Sequence, residues 1–148
     1  MRRLALLLFA GIAAACGEPT AEVQAEVNRW ALQFGLDPIL LSAVVWVESR
    51  YCPQAVGAAG EIGLAQVKPV VARTYGLPED ILWNPANNLA VAARYLRDLY
   101  FRFGDWYRAL AAYNRGPTRV TENGVDAEGH AYATKVLSVY WYWKGGKP

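Results

Sequence analysis

Apolar residues recur along this chain at helical spacing, and the gaps between the runs carry glycine or proline. Val23, Val27, Trp30 and Phe34 fall on one stripe, with Thr20 placed to cap its start and Gly35 to end it. Asp37-Pro38 supplies the next cap and first helical position. From 39 to 47 only Ser42 is polar. That predicts a helix over 38–49, apolar nearly all round, of the kind that runs through the centre of a domain. Pro53, Gly57, Gly60 and Gly63 then break the pattern, which predicts a long irregular loop or a small hairpin. A short helix is expected from Pro69 to just before Gly76. A long one follows from Asn84-Pro85 to Gly104, with Leu89, Ala92, Ala93, Leu96, Leu99 and Tyr100 at helical spacing. Another covers about 105–114 and ends at Gly116-Pro117. The last starts near Gly129 and carries Tyr132, Val136, Val139, Tyr140 and Trp143. Period-two alternation is weak throughout, so the expected fold is mainly α.

The beginning of the chain is set apart from this frame. Arg2 and Arg3 precede an unbroken apolar run from Leu4, and small residues follow up to Cys16. This is the order of a secretory signal, so 1–15 are read as removed on export and the protein as periplasmic or cell-envelope. The expectation changes the charge picture. Of the net +2, Arg2 and Arg3 supply both units, and without them 13 Lys and Arg balance 13 Asp and Glu. Bulk charge therefore gives no support to a nucleic-acid partner. Ala13-Ala14-Ala15-Cys16 resembles a lipoprotein processing site, in which Cys16 would carry a lipid and tie the protein to a membrane. It also fits ordinary cleavage, which would leave Cys16 to pair with Cys52. The lipid match is the stronger of the two, although Ala13 stands where leucine is usual. The expected organisation is a signal over 1–15, a linker and first helix over 16–35, and one domain over 36–148.

The chemistry begins with Glu48, an acid at the end of the apolar run. Apolar surroundings and the carbonyl end of a helix both disfavour its charged form, and a carboxyl still protonated near neutral pH can act as a general acid. Taken alone, Glu48 also reads as a solvated acid paired with Arg50. Gly63-Leu64-Ala65-Gln66 offers glycine backbone for close approach to a ligand and a side-chain amide with both donors and an acceptor. Tyr113 and Asn114 end an alanine-rich helix, where they would line a groove or cap the helix. Glu128 and Tyr132 are four apart, on one helical face. For Tyr140 to Trp143 the expectation is that Tyr140 and Trp143 pack inward and the two between are partly exposed.

In this order and spacing, Glu48-Ser49, Gly63-x-x-Gln66, Ala112-Tyr113-Asn114-x-Gly116 and Tyr132-x-x-x-Val136 resemble the catalytic domain of soluble lytic transglycosylases, relatives of goose-type lysozyme. The segment from Asn84 to Leu99 resembles the family's long connecting helix. The resemblance spans about 36–143. It implies a mainly α, lysozyme-like single domain with the irregular loop or small hairpin after the catalytic helix. It also implies cleavage of peptidoglycan between N-acetylmuramic acid and N-acetylglucosamine, with a 1,6-anhydro end formed in place of water addition. Glu48 would be the single acid/base, and Gln66, Tyr113, Asn114, Tyr132 and Glu128 would bind substrate, the tyrosine hydroxyl holding the carboxyl in place. No metal or other cofactor is implied, and the protein would act as a monomer on glycan strands. Two alternatives stay open: a hydrolase of the goose-lysozyme kind, and a non-catalytic glycan-binding scaffold. The chain departs from the family pattern at Ala65, where methionine is usual, at Gly57, often serine, at Lys68, and at Arg115. Arg115 would face the muramic lactate or peptide carboxylates. Glu61, the nearest other acid, reads as loop surface.

Overall fold

The computed structural model describes residues 16–146, so the segment read as a secretory signal lies outside the described residues. Seven helices follow in order: α1 (Ala21–Gln33), α2 (Pro38–Ser49), α3 (Pro69–Thr74), α4 (Pro85–Phe103), α5 (Trp106–Arg115), α6 (Pro117–Asn123) and α7 (Ala127–Trp143). A 3-10 turn, Glu79–Trp83, sits between α3 and α4. Among the described residues no strand forms. Isolated antiparallel bridges join Val56 to Ile62 and Ile62 to Val67, so the glycine-rich segment is an irregular loop drawn together at those points.

Side-chain caps fix most helix starts. Thr20 accepts from the Val23 N–H at 3.2 Å, Asp37 from Ile39 at 2.9 Å and Asn84 from Asn87 at 3.1 Å. Asp126 accepts from Gly129 at 2.8 Å, which places the start of α7 two residues before the expected Gly129. Helix α6 was not expected, because Gly116-Pro117 reads as a stop. Gly116, at φ 93°, does end α5, but Pro117 then begins a new helix at its first position.

The helices share one core. Helix α5 packs against α4 and α7, α7 packs on α2, and α1 packs on α4 and α2. Ala109, Leu110, Ala111 and Ala112 are fully buried, and the small alanines let the neighbouring backbones come close. Leu40 to Val45 bury α2, while Trp46 and Val47 stay half-buried, so α5 shares the centre that the sequence pattern gives to α2 alone. Val27 and Ala31 of α1 are fully buried in the same core. Each fully buried leucine or valine stabilises the fold by roughly 1.5–3 kcal/mol, and each alanine by less.

Asp37 closes the frame a second way. Its other carboxyl oxygen accepts from the Tyr140 hydroxyl at 3.0 Å and the Lys144 ammonium at 2.8 Å, tying the start of α2 to the end of α7. Tyr140 is half-buried, as expected, and Trp141 and Tyr142 are exposed. Trp143 differs from expectation. It is 39% exposed and lies edge-on to Trp46, because α7 runs past the core by its last turn. Of the two fates weighed for Cys16, the structure holds the disulfide. Cys16 bonds Cys52 and pins the chain ahead of α1 to the segment that follows α2.

Candidate active site

Glu48 is the second-last residue of α2, beside the carbonyl end of the helix. The chain turns sharply after it. Arg50 and Tyr51 both take positive φ, 54° and 61°, a conformation that costs a non-glycine residue about 1 kcal/mol or more. Local contacts offset that cost. The Arg50 guanidinium lies 3.4 Å from the Trp46 ring centroid, and the buried Tyr51 hydroxyl meets Ser42 Oγ at 2.7 Å. Arg50 is thus occupied by Trp46, and no ion pair among the described residues involves Glu48.

Burial pushes the Glu48 carboxyl up to about 7 from its ordinary 4.5. The residue keeps some contact with solvent, but the protein packed around its carboxyl is dense enough for desolvation to dominate. Glu61 raises it further by repulsion. Donation from Tyr132 and the charges of Lys68 and Lys135 act the other way. The Tyr132 hydroxyl is buried beside Glu48, yet it completes no hydrogen bond of good geometry. We read the contact as an approach that falls short of a formed bond, of a kind that tightens in a substrate complex.

The loop after α2 is held by side chains reaching its backbone. Asn88 of α4 is fully buried. Its Oδ1 accepts from Ala65 N–H at 2.9 Å, and its Nδ2 donates to the carbonyls of Ile62 at 2.8 Å and Leu82 at 2.9 Å. Ser49 Oγ donates to Leu64 O at 2.6 Å. Gly63, at φ 75°, lies where a Cβ would come within 2.6 Å of Asn88 Nδ2, so its lack of a side chain serves the approach of Asn88 rather than of a ligand. Gln66 also differs from expectation. Its amide donates to Ala55 O at 3.0 Å and Gly63 O at 2.9 Å, so both N–H groups face the loop and only the carbonyl oxygen is left for substrate. Tyr113 donates to Ala65 O at 2.7 Å and so holds the loop, not the carboxyl. Its ring remains within electrostatic reach of Glu48.

Gln66, Lys68 and Tyr113 meet in the wall of a cavity of about 180 Å³, completed by Val70, Val71, Tyr95 and Pro117 among others. Glu48 is not itself in that wall, but Lys68 and Tyr113, which are, act on its carboxyl or feel its charge. Asn114 is half-buried at the end of α5, and its backbone carbonyl accepts from Lys68 Nζ at 3.5 Å. Glu128 stands apart from this group. Its side chain is 72% exposed and pairs with Arg115. Arg115 also bonds Asp126 at 2.9 Å, so it joins the end of α5 to the start of α7 and has carboxylate partners within the protein. Sequence reasoning missed three residues. Asn88 reads as one more polar residue on a long helix. Glu61 reads as surface but acts on Glu48. Lys68 registers only as a departure from a pattern.

Comparison with known proteins agrees with this fold. The family whose sequence pattern matches is described as "Transglycosylase SLT domain", over residues 26–135. A transglycosylase of Enterobacteria phage PRD1 is 32% identical over 111 residues, which cover 75% of this chain and 40% of that protein. The X polypeptide of Escherichia coli is 35% identical over 123 residues, covering 77% of this chain and 71% of that one. Among solved structures, an inactive glutamate-to-glutamine mutant of the lytic transglycosylase Slt from Pseudomonas aeruginosa superposes with a TM-score of 0.70. It is 27% identical, and the match covers 84% of this chain and 25% of that one. The chain thus spans less than half the length of the phage and Pseudomonas proteins.

Proposed function

The chain belongs to the transglycosylase SLT domain family, and from that premise we propose that it cleaves peptidoglycan glycan strands between N-acetylmuramic acid and N-acetylglucosamine, with Glu48 as the single acid and base. The observation that carries this reading is a buried carboxyl poised at about 7, at the end of α2 and within electrostatic reach of two residues of the cavity wall, Lys68 and Tyr113, with an unsatisfied tyrosine hydroxyl beside it. A group titrating near neutral pH is suited to give a proton and then take one back. Protonated Glu48 gives its proton to the glycosidic oxygen, and the bond from that oxygen to the muramoyl C1 breaks. The carboxylate left behind accepts the C6 hydroxyl proton as O6 bonds to C1, closing the 1,6-anhydro ring. Tyr132 stands where it can donate to the carboxylate between the two steps. Gln66 offers its carbonyl to an N-acetyl N–H, and Tyr113 shapes the wall. That a relative in the family is inactive as a glutamate-to-glutamine mutant supports the same role for Glu48.

A hydrolytic outcome draws on one observation, the second carboxylate of Glu61 within electrostatic reach of Glu48, where it could hold a water. Mass spectrometry of digested peptidoglycan separates the two. The proposal expects anhydro-muropeptides, and products heavier by one water would overturn it. We further propose that the protein works outside the cytoplasm, where the Cys16–Cys52 disulfide is stable, and that this bond takes the place of a lipid on Cys16. Intact mass of the exported protein tests this: two linked cysteines and no acyl mass are expected, and an acylated Cys16 with a free Cys52 thiol would refute it.

A further inference from the structure

We propose that Lys68 is a specificity-determining residue, whose ammonium holds a carboxylate carried on the substituent of the muramoyl ring. The inference deepens the glycan-cleaving reading and rests on it. Lys68 follows directly on Val67, which is buried and bridged to Ile62, so the root of its side chain is fixed. Its Nζ reaches across the cavity edge to the carbonyl of Asn114 at 3.5 Å. That is a long bond, and it uses one of three ammonium donors.

Among the other polar groups in the wall, the Gln66 N–H groups and the Tyr113 hydroxyl are spent on the protein itself, which leaves the Gln66 carbonyl oxygen, an acceptor, and the neutral Tyr95 hydroxyl. Gln66 gives both N–H groups to loop carbonyls, and Tyr113 gives its hydroxyl to Ala65. Lys68 is the only charged residue in the wall, and among the described residues it has no carboxylate partner. Arg115, the other cation at the end of α5, is already paired with Asp126 and Glu128. Val67, Val70, Val71 and Pro117 make much of the remaining surface apolar, which strengthens the attraction of the ammonium for an anion; the Glu48 carboxyl feels its charge but forms no ion pair with it. A muramoyl residue brings such an anion on its 3-O-lactyl arm. In a peptide-free strand it is the lactyl carboxylate itself. In a strand bearing peptides it is a carboxylate of the stem.

The test uses three sets of short glycan oligomers: peptide-free with free lactyl carboxylates, the same with those groups amidated, and stem-bearing. Cleavage and binding are measured for the parent, Lys68→Met and Lys68→Arg. Lys68→Gln serves as a second neutral variant should methionine disturb folding. The parent is expected to favour at least one carboxylate-bearing set over the amidated one by about tenfold in kcat/KM. Methionine or glutamine should erase that preference, and arginine should keep most of it. Which set shows the preference identifies the carboxylate. A parent that treats acid and amide alike, or a neutral variant that keeps the preference, overturns the proposal. Should the parent cleave none of the three, the function reading falls, and the binding measurements still decide whether Lys68 selects for a carboxylate.

Discussion

The helical frame and the loop over 51–68 solve the same problem by different means. In the frame, backbone groups are satisfied along each helix, and burial is spread over many side chains such as Leu41, Leu89, Leu96 and Leu110, all fully buried. The loop has no such ladder. Scattered backbone bonds, such as those between Ile62 and Val67 and from Gly63 to Ala55, close its turns, and side-chain atoms of Ser49, Asn88, Tyr113 and its own Gln66 tie down much of the rest. A change in the frame should therefore cost stability and leave the site's chemistry intact in the molecules that fold. A change in the loop's anchors should cost both, because the same atoms hold the fold and shape the groove.

Asn88→Ala tests that contrast with the largest expected effect. It leaves the Ala65 N–H and the Leu82 carbonyl without partners, and the Ile62 carbonyl with the Val67 N–H alone, at a cost on the order of 4 kcal/mol. Leu110→Ala should cost about 2–5 kcal/mol by leaving a cavity. Urea unfolding should show both losses, while activity per folded molecule should fall sharply for Asn88→Ala alone. Equal activities in the folded fractions would break the comparison.

The next effect has the opposite sign. Raising the Glu48 carboxyl from 4.5 to about 7 means that the folded state resists its ionisation. The protein is free of that cost below the ordinary value, and its stability falls as pH rises through about 7. Glu48→Gln removes the cost. It should be more stable than the parent by up to about 3 kcal/mol at pH 8, and nearly equal to it at pH 4. Denaturant midpoints at the two pH values check this, and a parent as stable as the variant at pH 8 would place Glu48 in water.

Tyr113→Phe should cost about 1–2 kcal/mol, because Ala65 O loses its donor in a buried place. It should also slow cleavage if the loop's position governs the groove. Glu61→Gln gives the smallest change. Without its repulsion the Glu48 carboxyl titrates lower, so the fall in rate on the alkaline side should move to lower pH by a fraction of a unit. No movement would return Glu61 to the surface role that the sequence suggests.

Much of the frame was legible in the sequence because its signals are local. Thr20, Asp37 and Asn84 cap where their types predict, and the unbroken apolar run ending in an acid marks Glu48. The site's supports were not legible, because their partners lie far along the chain. Nothing near Asn88 says that it faces Ala65, 23 residues away, and nothing near Tyr113 says that its hydroxyl meets Ala65, 48 residues away. Gln66 and Tyr113 were found by type, but their bonds to Ala55, Gly63 and Ala65 within the protein were not. Glu128 matched in spacing, but the exposed start of α7 directs it to Arg115. The short helix α6 and the 3-10 turn carry too few residues for a periodic signal, and Pro117 reads equally as a stop or a start.

The central claim is that a buried, proton-holding Glu48 performs the cleavage, and digestion of purified peptidoglycan by the parent and Glu48→Gln proteins, read by mass spectrometry, tests it most directly. The account predicts anhydro-muropeptides from the parent and a rate lower by about 10³-fold or more from the variant. Release by Glu48→Gln at the parent's rate would contradict it.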